Sequence, residues 1–168
     1  ASASELIDHY VLECTRDNIE QRKNRFFVQG DPGAILVVEY ARQTREEITA
    51  IAKQVEADMR AAGLGYHFPL LFGEDTKKIW TLRKAGLGLL GNLPGDDKAV
   101  PVLEDTAVDV NDLPAYIHDF NEILKKYDVY SIHYAHAGSG ELHLRPIINL
   151  KREEGNQLFR AIAEEIAA

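Results

Sequence analysis

The sequence predicts an α+β fold in which an antiparallel, ferredoxin-like sheet carries helices packed mainly on one face. Runs of β-branched apolar residues and segments of helical periodicity follow one another roughly as β-α-β-α-loop-α-β-β-α. Most connections are long, whereas one glycine-rich hairpin joins two consecutive strands. A chain of 168 residues that is 45% apolar can form one cored domain, so we expect a single domain over residues 1–168.

The first half of the chain is predicted to hold a helical segment, a strand and a long helix. Residues 5–25 place apolar side chains at helix-compatible spacing, and residues 34–40 form a β-branched run typical of a buried strand. Thr44 and Glu47 match a capping box, so the long helix is expected to begin there. Its apolar stripe stops at Gly63, the expected residue after the helix.

The second half continues with alternating elements. Residues 66–72 favour a strand, and Pro69 would place it at an edge or a bulge. The remaining elements are a helix over 75–82, a loop over 91–101, a helix capped by Asn111 or Asp112, strands over 129–135 and 142–150, and a helix that carries Leu158, Ile162 and Ile166. Because the first residue is not Met and the last helix has no stop signal, we expect a piece of a longer protein.

Composition excludes several classes of function. Lys and Arg number 19 against 27 Asp and Glu, a net charge of −8, which argues against binding to nucleic acids or anionic membranes. No apolar run approaches the roughly 20 residues of a membrane-spanning helix. The single cysteine, Cys14, excludes an intrachain disulfide and a cysteine-rich metal site, so a reducing, cytoplasmic compartment is expected.

Two histidines flank the predicted hairpin turn. If Ser139 and Gly140 form a two-residue turn, His136 lies directly opposite His143 on the same face of the sheet. Directly opposite Cβ atoms are about 5 Å apart, which allows two imidazoles to share one divalent metal such as Zn²⁺ or Mn²⁺. Two polar residues on a solvated hairpin are the simpler interpretation.

The same register selects the neighbours of this histidine pair. It places Tyr134 and Arg145 on the face of the pair and excludes His133 by parity. It also excludes Glu141, unless the turn is longer than the two residues assumed. A third metal ligand would therefore come from another segment, and the acidic pair at 104–105 is one candidate.

Two further motifs are rejected on context. The glycines over 86–91 match G-x-G-x-x-G, but a predicted helix precedes them, and Pro94 and Gly95 prevent a helix from following. A dinucleotide site is therefore excluded in favour of a close backbone approach. Ser139 lacks the strand-turn-helix elbow and an oriented base that a nucleophilic serine needs.

Three segments, taken together, resemble a known family. Residues 80–84 (WTLRK), 104–108 (EDTAV) and 136–143 (HAGSGELH) occur in the order and at the separations found in the C-terminal cap domain of FAD-linked oxidases of the vanillyl-alcohol oxidase superfamily. This group includes D-lactate, glycolate and D-2-hydroxyglutarate dehydrogenases. The chain is most similar to the long bacterial members, which fuse a flavin domain to an iron–sulfur domain.

The resemblance implies oxidation of a D-2-hydroxy acid by hydride transfer to FAD, which an N-terminal domain outside this chain would mainly bind. His136 and His143 match ligands of a divalent metal, and Arg83 matches the residue that grips the substrate carboxylate. Arg145 stands where D-2-hydroxyglutarate enzymes carry a substrate-binding Asn, so it is a candidate second cationic contact. The family's further metal ligand lies in a later Glu-His-Gly motif. An iron–sulfur cluster elsewhere and a location at the periphery of the inner membrane are also implied for the whole protein.

Two alternatives remain open. The chain would otherwise be a stand-alone ferredoxin-like binding or dimerisation module without catalysis. Such a module has no need to bring two histidines and an arginine together, so the position of Arg83 relative to the 136–143 hairpin separates the two hypotheses. A metal-dependent hydrolase is less well supported, because no carboxylate has a defined spacing to the histidines.

Overall fold

A computed structural model of the chain describes residues 1–168, apart from the side chain of Leu87. It has an α+β fold with a six-stranded antiparallel sheet, as predicted. The strands are β1 (Ala3–Asp8), β2 (Ala34–Glu39), β3 (Lys98–Ala99), β4 (Leu103–Ala107), β5 (Ser131–His136) and β6 (Glu141–Ile148). The helices are α1 (His9–Arg16), α2 (Ile19–Arg22), α3 (Arg45–Ala61), α4 (Glu74–Leu90), α5 (Leu113–Lys126) and α6 (Glu153–Ile166). Within this described part, no helix has both the length and the apolar character needed to cross a membrane.

The sheet has the order β2-β1-β5-β6, and β6 also pairs with β3 and β4. The N-terminal strand β1 is therefore interior, although residues 5–25 were predicted to be helical. The apolar spacing at the start of this segment fits a helix or a strand. The chain forms a strand there, which pairs with β2 and β5 and buries Ile7 completely. The first helix begins only after Asp8, whose carboxylate accepts a hydrogen bond from the backbone N–H of Tyr10.

Helices cover both faces of the sheet, so the expectation that they pack mainly on one face is wrong. Adjacent residues of β5 and β6 point into two separate cores, because both faces of these strands are apolar. One core joins the sheet to α1 and α4 through Ile7, Leu12, Leu82, Ile132 and Tyr134. The other joins it to α5 and α6 through Phe120, Ala135, Leu142, Leu144 and Ile162.

Two segments differ from the prediction near α4. Residues 66–72 form a loop rather than a strand. The helix predicted over 75–82 continues to Leu90, and its glycines lie inside it. At Gly86 a Cβ atom would lie 2.4 Å from Cγ1 of Val11, so this glycine allows α1 to pack closely against α4. The context predicted for this motif is the one observed, since Gly86 and Gly88 lie within α4, Gly91 caps its end, and no strand leads into them.

The turn between β5 and β6 requires a glycine at position 140. Its φ is +75°, and a Cβ atom there would lie 2.0 Å from the carbonyl oxygen of Val108. Gly140→Ala is expected to lower the free energy of unfolding by about 2–3 kcal/mol, measured by urea denaturation with Trp80 fluorescence. Gly88→Ala is the control, since open space surrounds Gly88 in α4, and it should raise stability by about 0.5–1 kcal/mol. Equal midpoints for the two variants would contradict the turn geometry.

Candidate functional site

The β5–β6 hairpin sets the relative positions of the two histidines. Its connection has four residues, 137–140, rather than the two that were predicted. Consequently His136 pairs with Glu141, and Tyr134 pairs with His143. The predicted direct opposition of the histidines is wrong, because the longer turn shifts the register by two residues. They are instead diagonal neighbours, with ring centroids 5.2 Å apart.

A shift by two residues leaves the face of each side chain unchanged. Tyr134 and Arg145 therefore share the face of the histidine pair, as predicted. Glu141, which was excluded unless the turn proved longer than two residues, also lies on this face, because it is two residues from His143 on the same strand. His133 points to the opposite face and packs against α5, which confirms its exclusion.

The buried position of His133 predicts a pH dependence of stability. Burial lowers the pKa of its imidazole, and the nearby Asp8 only partly offsets this effect. The unfolded chain, with a histidine pKa of about 6.5, then binds the proton more readily than the folded chain. The burial of the neutral imidazole therefore adds its full share to the free energy of unfolding above about pH 6.5. That share is lost as the pH falls further, because protonation favours the unfolded chain. His133→Gln should flatten the fall in unfolding free energy between about pH 7 and pH 5, and an unchanged slope would contradict this account.

In both His136 and His143, the ring nitrogen Nδ1 lies close to carboxylate oxygens. Nδ1 of His136 lies 2.9 Å from each carboxylate oxygen of Glu5. Nδ1 of His143 lies 3.0 Å from Asp105 and 3.3 Å from Glu104, although neither contact is aligned as a hydrogen bond. A carboxylate at Nδ1 favours the tautomer that leaves the lone pair of Nε2 available, which is the arrangement of many metal-binding histidines.

Arg83 reaches this face from α4. Its Nη2 lies 3.0 Å from a carboxylate oxygen of Glu5, and its guanidinium carbon lies 5.1 Å from the ring centroid of Tyr134. Arg83 is only 9% exposed, and its Nε and Nη2 have no aligned hydrogen-bond acceptor among the residues that the structure describes. A buried cation, paired with Glu5 but with no well-aligned hydrogen bond from Nε or Nη2, therefore lies beside the hairpin, where it can receive an anionic group.

Arg145 lies on the same face but is already engaged. Its Nη2 donates to Glu104 at 2.6 Å, and its Nε donates to the hydroxyl of Tyr134 at 3.1 Å. Burial alone would lower the pKa of Arg145, but the bonds to Glu104 and Tyr134 outweigh it and raise the pKa. Burial raises the pKa of Tyr134 to about 12, so the phenol stays protonated and stacks on His143 with ring centroids 4.6 Å apart.

The charges of this face favour a cation. Two guanidinium groups lie here, those of Arg83 and Arg145. They lie among four carboxylates, those of Glu5, Glu104, Asp105 and Glu141. With neutral histidines the face is net negative, which suits a divalent metal. Two sets of side chains could supply ligands: His136 with Glu141 and His143, or His143 with Glu104 and Asp105.

Glu5 is the site residue that the sequence analysis missed. It lies in β1, 131 residues from His136, inside a segment that was predicted to be helical. One signal was available in the sequence: a strand over β1 puts Glu5 on the same face as the apolar Ile7, which the structure buries completely. A buried carboxylate needs a partner, and here Arg83 and His136 provide it.

Comparison with known proteins identifies the family. Residues 1–168 match the family described as FAD linked oxidases, C-terminal domain. The chain belongs to this family.

Curated relatives of this domain share one name. D-2-hydroxyglutarate dehydrogenase of Haemophilus influenzae is 29% identical over 99% of this chain, which corresponds to 17% of that protein. The enzymes of the same name from Pseudomonas putida and Escherichia coli are 28% and 25% identical, over 98% and 100% of this chain. This chain thus spans about a sixth of the length of these relatives, 17% and 18% for the latter two.

Proposed function

We propose that residues 1–168 form the substrate-binding cap of a flavin-dependent oxidoreductase, which oxidises a D-2-hydroxy acid by hydride transfer to FAD. One observation carries the proposal: the buried guanidinium of Arg83, whose Nε and Nη2 make no well-aligned hydrogen bond, lies on the same sheet face as His136 and His143. A stand-alone binding module has no need of this combination.

Arg83 would bind the carboxylate of the substrate. Its planar guanidinium can hold both carboxylate oxygens, which fixes the orientation of the α-carbon. Glu5 holds this guanidinium against the sheet and faces His136 with the same carboxylate. The chain thereby positions the α-hydrogen toward a flavin supplied by another domain.

His136 and His143 would hold a divalent metal such as Zn²⁺ or Mn²⁺. The donor set fits, since both imidazoles turn Nδ1 toward carboxylates and lie on a net negative face. When bound, the metal would lower the pKa of the substrate hydroxyl. The low exposure of the His143 side chain, 12%, would keep bulk water from one side of the metal.

Arg145 favours a substrate with a second carboxylate. Its Nε and Nη2 are used by Tyr134 and Glu104, which leaves Nη1 for a further anionic group among the contacts that the structure describes. The relatives are named for D-2-hydroxyglutarate, a dicarboxylate. We therefore rank D-2-hydroxy dicarboxylates above monocarboxylates such as D-lactate.

The remaining parts of the enzyme would lie outside residues 1–168. An N-terminal domain of the same polypeptide would bind most of the FAD, in keeping with the 17% share of the relatives that this chain spans. An iron–sulfur cluster elsewhere in that polypeptide and a cytoplasmic location, at the periphery of the inner membrane, belong to the same proposal.

The test is an oxidation assay on a polypeptide that carries these residues together with the flavin-binding domain. D- and L-2-hydroxyglutarate, D-lactate and glycolate are supplied as substrates, with a redox dye as electron acceptor. We expect oxidation of the D-2-hydroxy acids and none of the L enantiomer. The control is protein that retains FAD and whose flavin can be reduced by dithionite. If such protein oxidises none of the substrates, the proposal is contradicted.

A further inference from the structure

We propose that Glu141 is a third metal ligand, so that this chain supplies a complete set of three with His136 and His143. This inference rests on the proposed function, in which the histidines hold a divalent metal. The resemblance places the further ligand in a later motif, outside residues 1–168. The structure instead offers a carboxylate on the hairpin itself.

Geometry places Glu141 beside both imidazoles. It pairs directly with His136 across β5 and β6, and it is two residues from His143 along β6. One ligand atom from each of the three side chains lies within 4.8 Å of the other two. Atoms this close together can face a single ion placed between them.

Glu141 differs from the neighbouring carboxylates in having no cationic partner among the side chains that the structure describes. Glu5 is bound by Arg83 and His136, and Glu104 is bound by Arg145. Among the hydrogen bonds and ion pairs of the described side chains, none involves Glu141. A carboxylate without a cation partner, next to two imidazoles, is the group that a divalent metal would recruit.

The donor set also matches the metals already considered. Two imidazoles and one carboxylate bind Zn²⁺ in catalytic sites that keep a further coordination position open. An open position suits a metal that must also accept the substrate. The carboxylates at Nδ1 of both histidines would act as the outer shell of this site and fix the ring orientations.

The experiment measures Zn²⁺ affinity of the 168-residue chain, without flavin or substrate, by competition with a chromophoric chelator. Loss of an outer-shell partner alone typically weakens metal binding by about 10–100-fold, so Glu141→Gln should weaken it by about 100-fold or more. Glu46→Gln removes the same charge from an exposed position in the first turn of α3 and should leave the affinity unchanged. Circular dichroism and urea midpoints verify that both variants fold.

The outcomes separate this inference from the proposed function. If His136→Ala and His143→Ala lose Zn²⁺ but Glu141→Gln keeps the wild-type affinity, Glu141 is not a ligand, and the histidine site stands. If the wild-type chain binds Zn²⁺ no better than the double histidine variant, a three-ligand site within this chain is overturned. Neither result decides the oxidation of hydroxy acids, which the assay on the flavin-containing polypeptide tests.

Discussion

Replacing Arg83 with methionine is expected to lower kcat/KM for D-2-hydroxy acid oxidation by roughly 30- to 1,000-fold, equivalent to about 2–4 kcal/mol. The reason is the buried position of Arg83, a residue that is 9% exposed and has donors without an aligned acceptor. In a site shielded from water, losing such a donor leaves the substrate carboxylate without its partner. Steady-state kinetics of the flavin-containing polypeptide measure the effect.

Two controls sharpen the Arg83 test. Lys84→Met removes the same charge from the next residue of α4, which is exposed, and should leave kcat/KM unchanged. Arg83→Lys keeps the charge but loses the planar pair of donors, so it should give an intermediate loss. If Arg83→Met and Lys84→Met both retain wild-type kinetics, Arg83 does not bind the substrate.

Replacing Glu5 with glutamine is expected to lower the free energy of unfolding by about 3 kcal/mol. Glu5 and Arg83 form an ion pair in which the side chains are 9% and 11% exposed. Neutralising Glu5 leaves the guanidinium of Arg83 buried without its counter-charge. The double variant Glu5→Gln, Arg83→Met removes that charge as well, so it should recover much of the loss. Urea denaturation of the four chains at one pH gives the coupling energy.

An exposed ion pair provides the comparison for Glu5. Glu56 and Arg60 on α3 are 2.8 Å apart, but their side chains are 38% and 52% exposed. Because solvent screens this pair, Glu56→Gln should cost only about 0.5 kcal/mol. Similar losses for Glu5→Gln and Glu56→Gln would mean that the buried pair has no special part in holding the site.

Short-range patterns were enough to predict the class of the fold and one whole element. Thr44 and Glu47 form the capping box of α3, and Gly63 follows its end, as predicted. The face of His136 and His143 was also predictable, because the period of two in a strand survives a register shift of two residues. The shift itself was not predictable, since the 3₁₀ turn over Ala137–Ser139 has no distinctive spacing in the sequence.

Long-range contacts account for what the sequence did not predict. The site depends on Glu5, whose contacts with Arg83 and His136 join three segments that are far apart in the chain. Nothing local to β1 distinguishes a strand from the start of a helix, because its spacing of apolar residues fits both. The identity of its neighbours in the sheet decides the outcome. The convergence of Arg83 with the hairpin was expected only from the resemblance to the oxidase family.

The most direct test of the central claim is a crystal structure of the flavin-containing polypeptide with a bound D-2-hydroxy acid. The account predicts a substrate carboxylate within about 3 Å of the guanidinium of Arg83, with the hydroxyl facing His136 and His143. The α-carbon would then point toward the flavin. A substrate bound elsewhere, with Arg83 still closed on Glu5 alone, would contradict the claim.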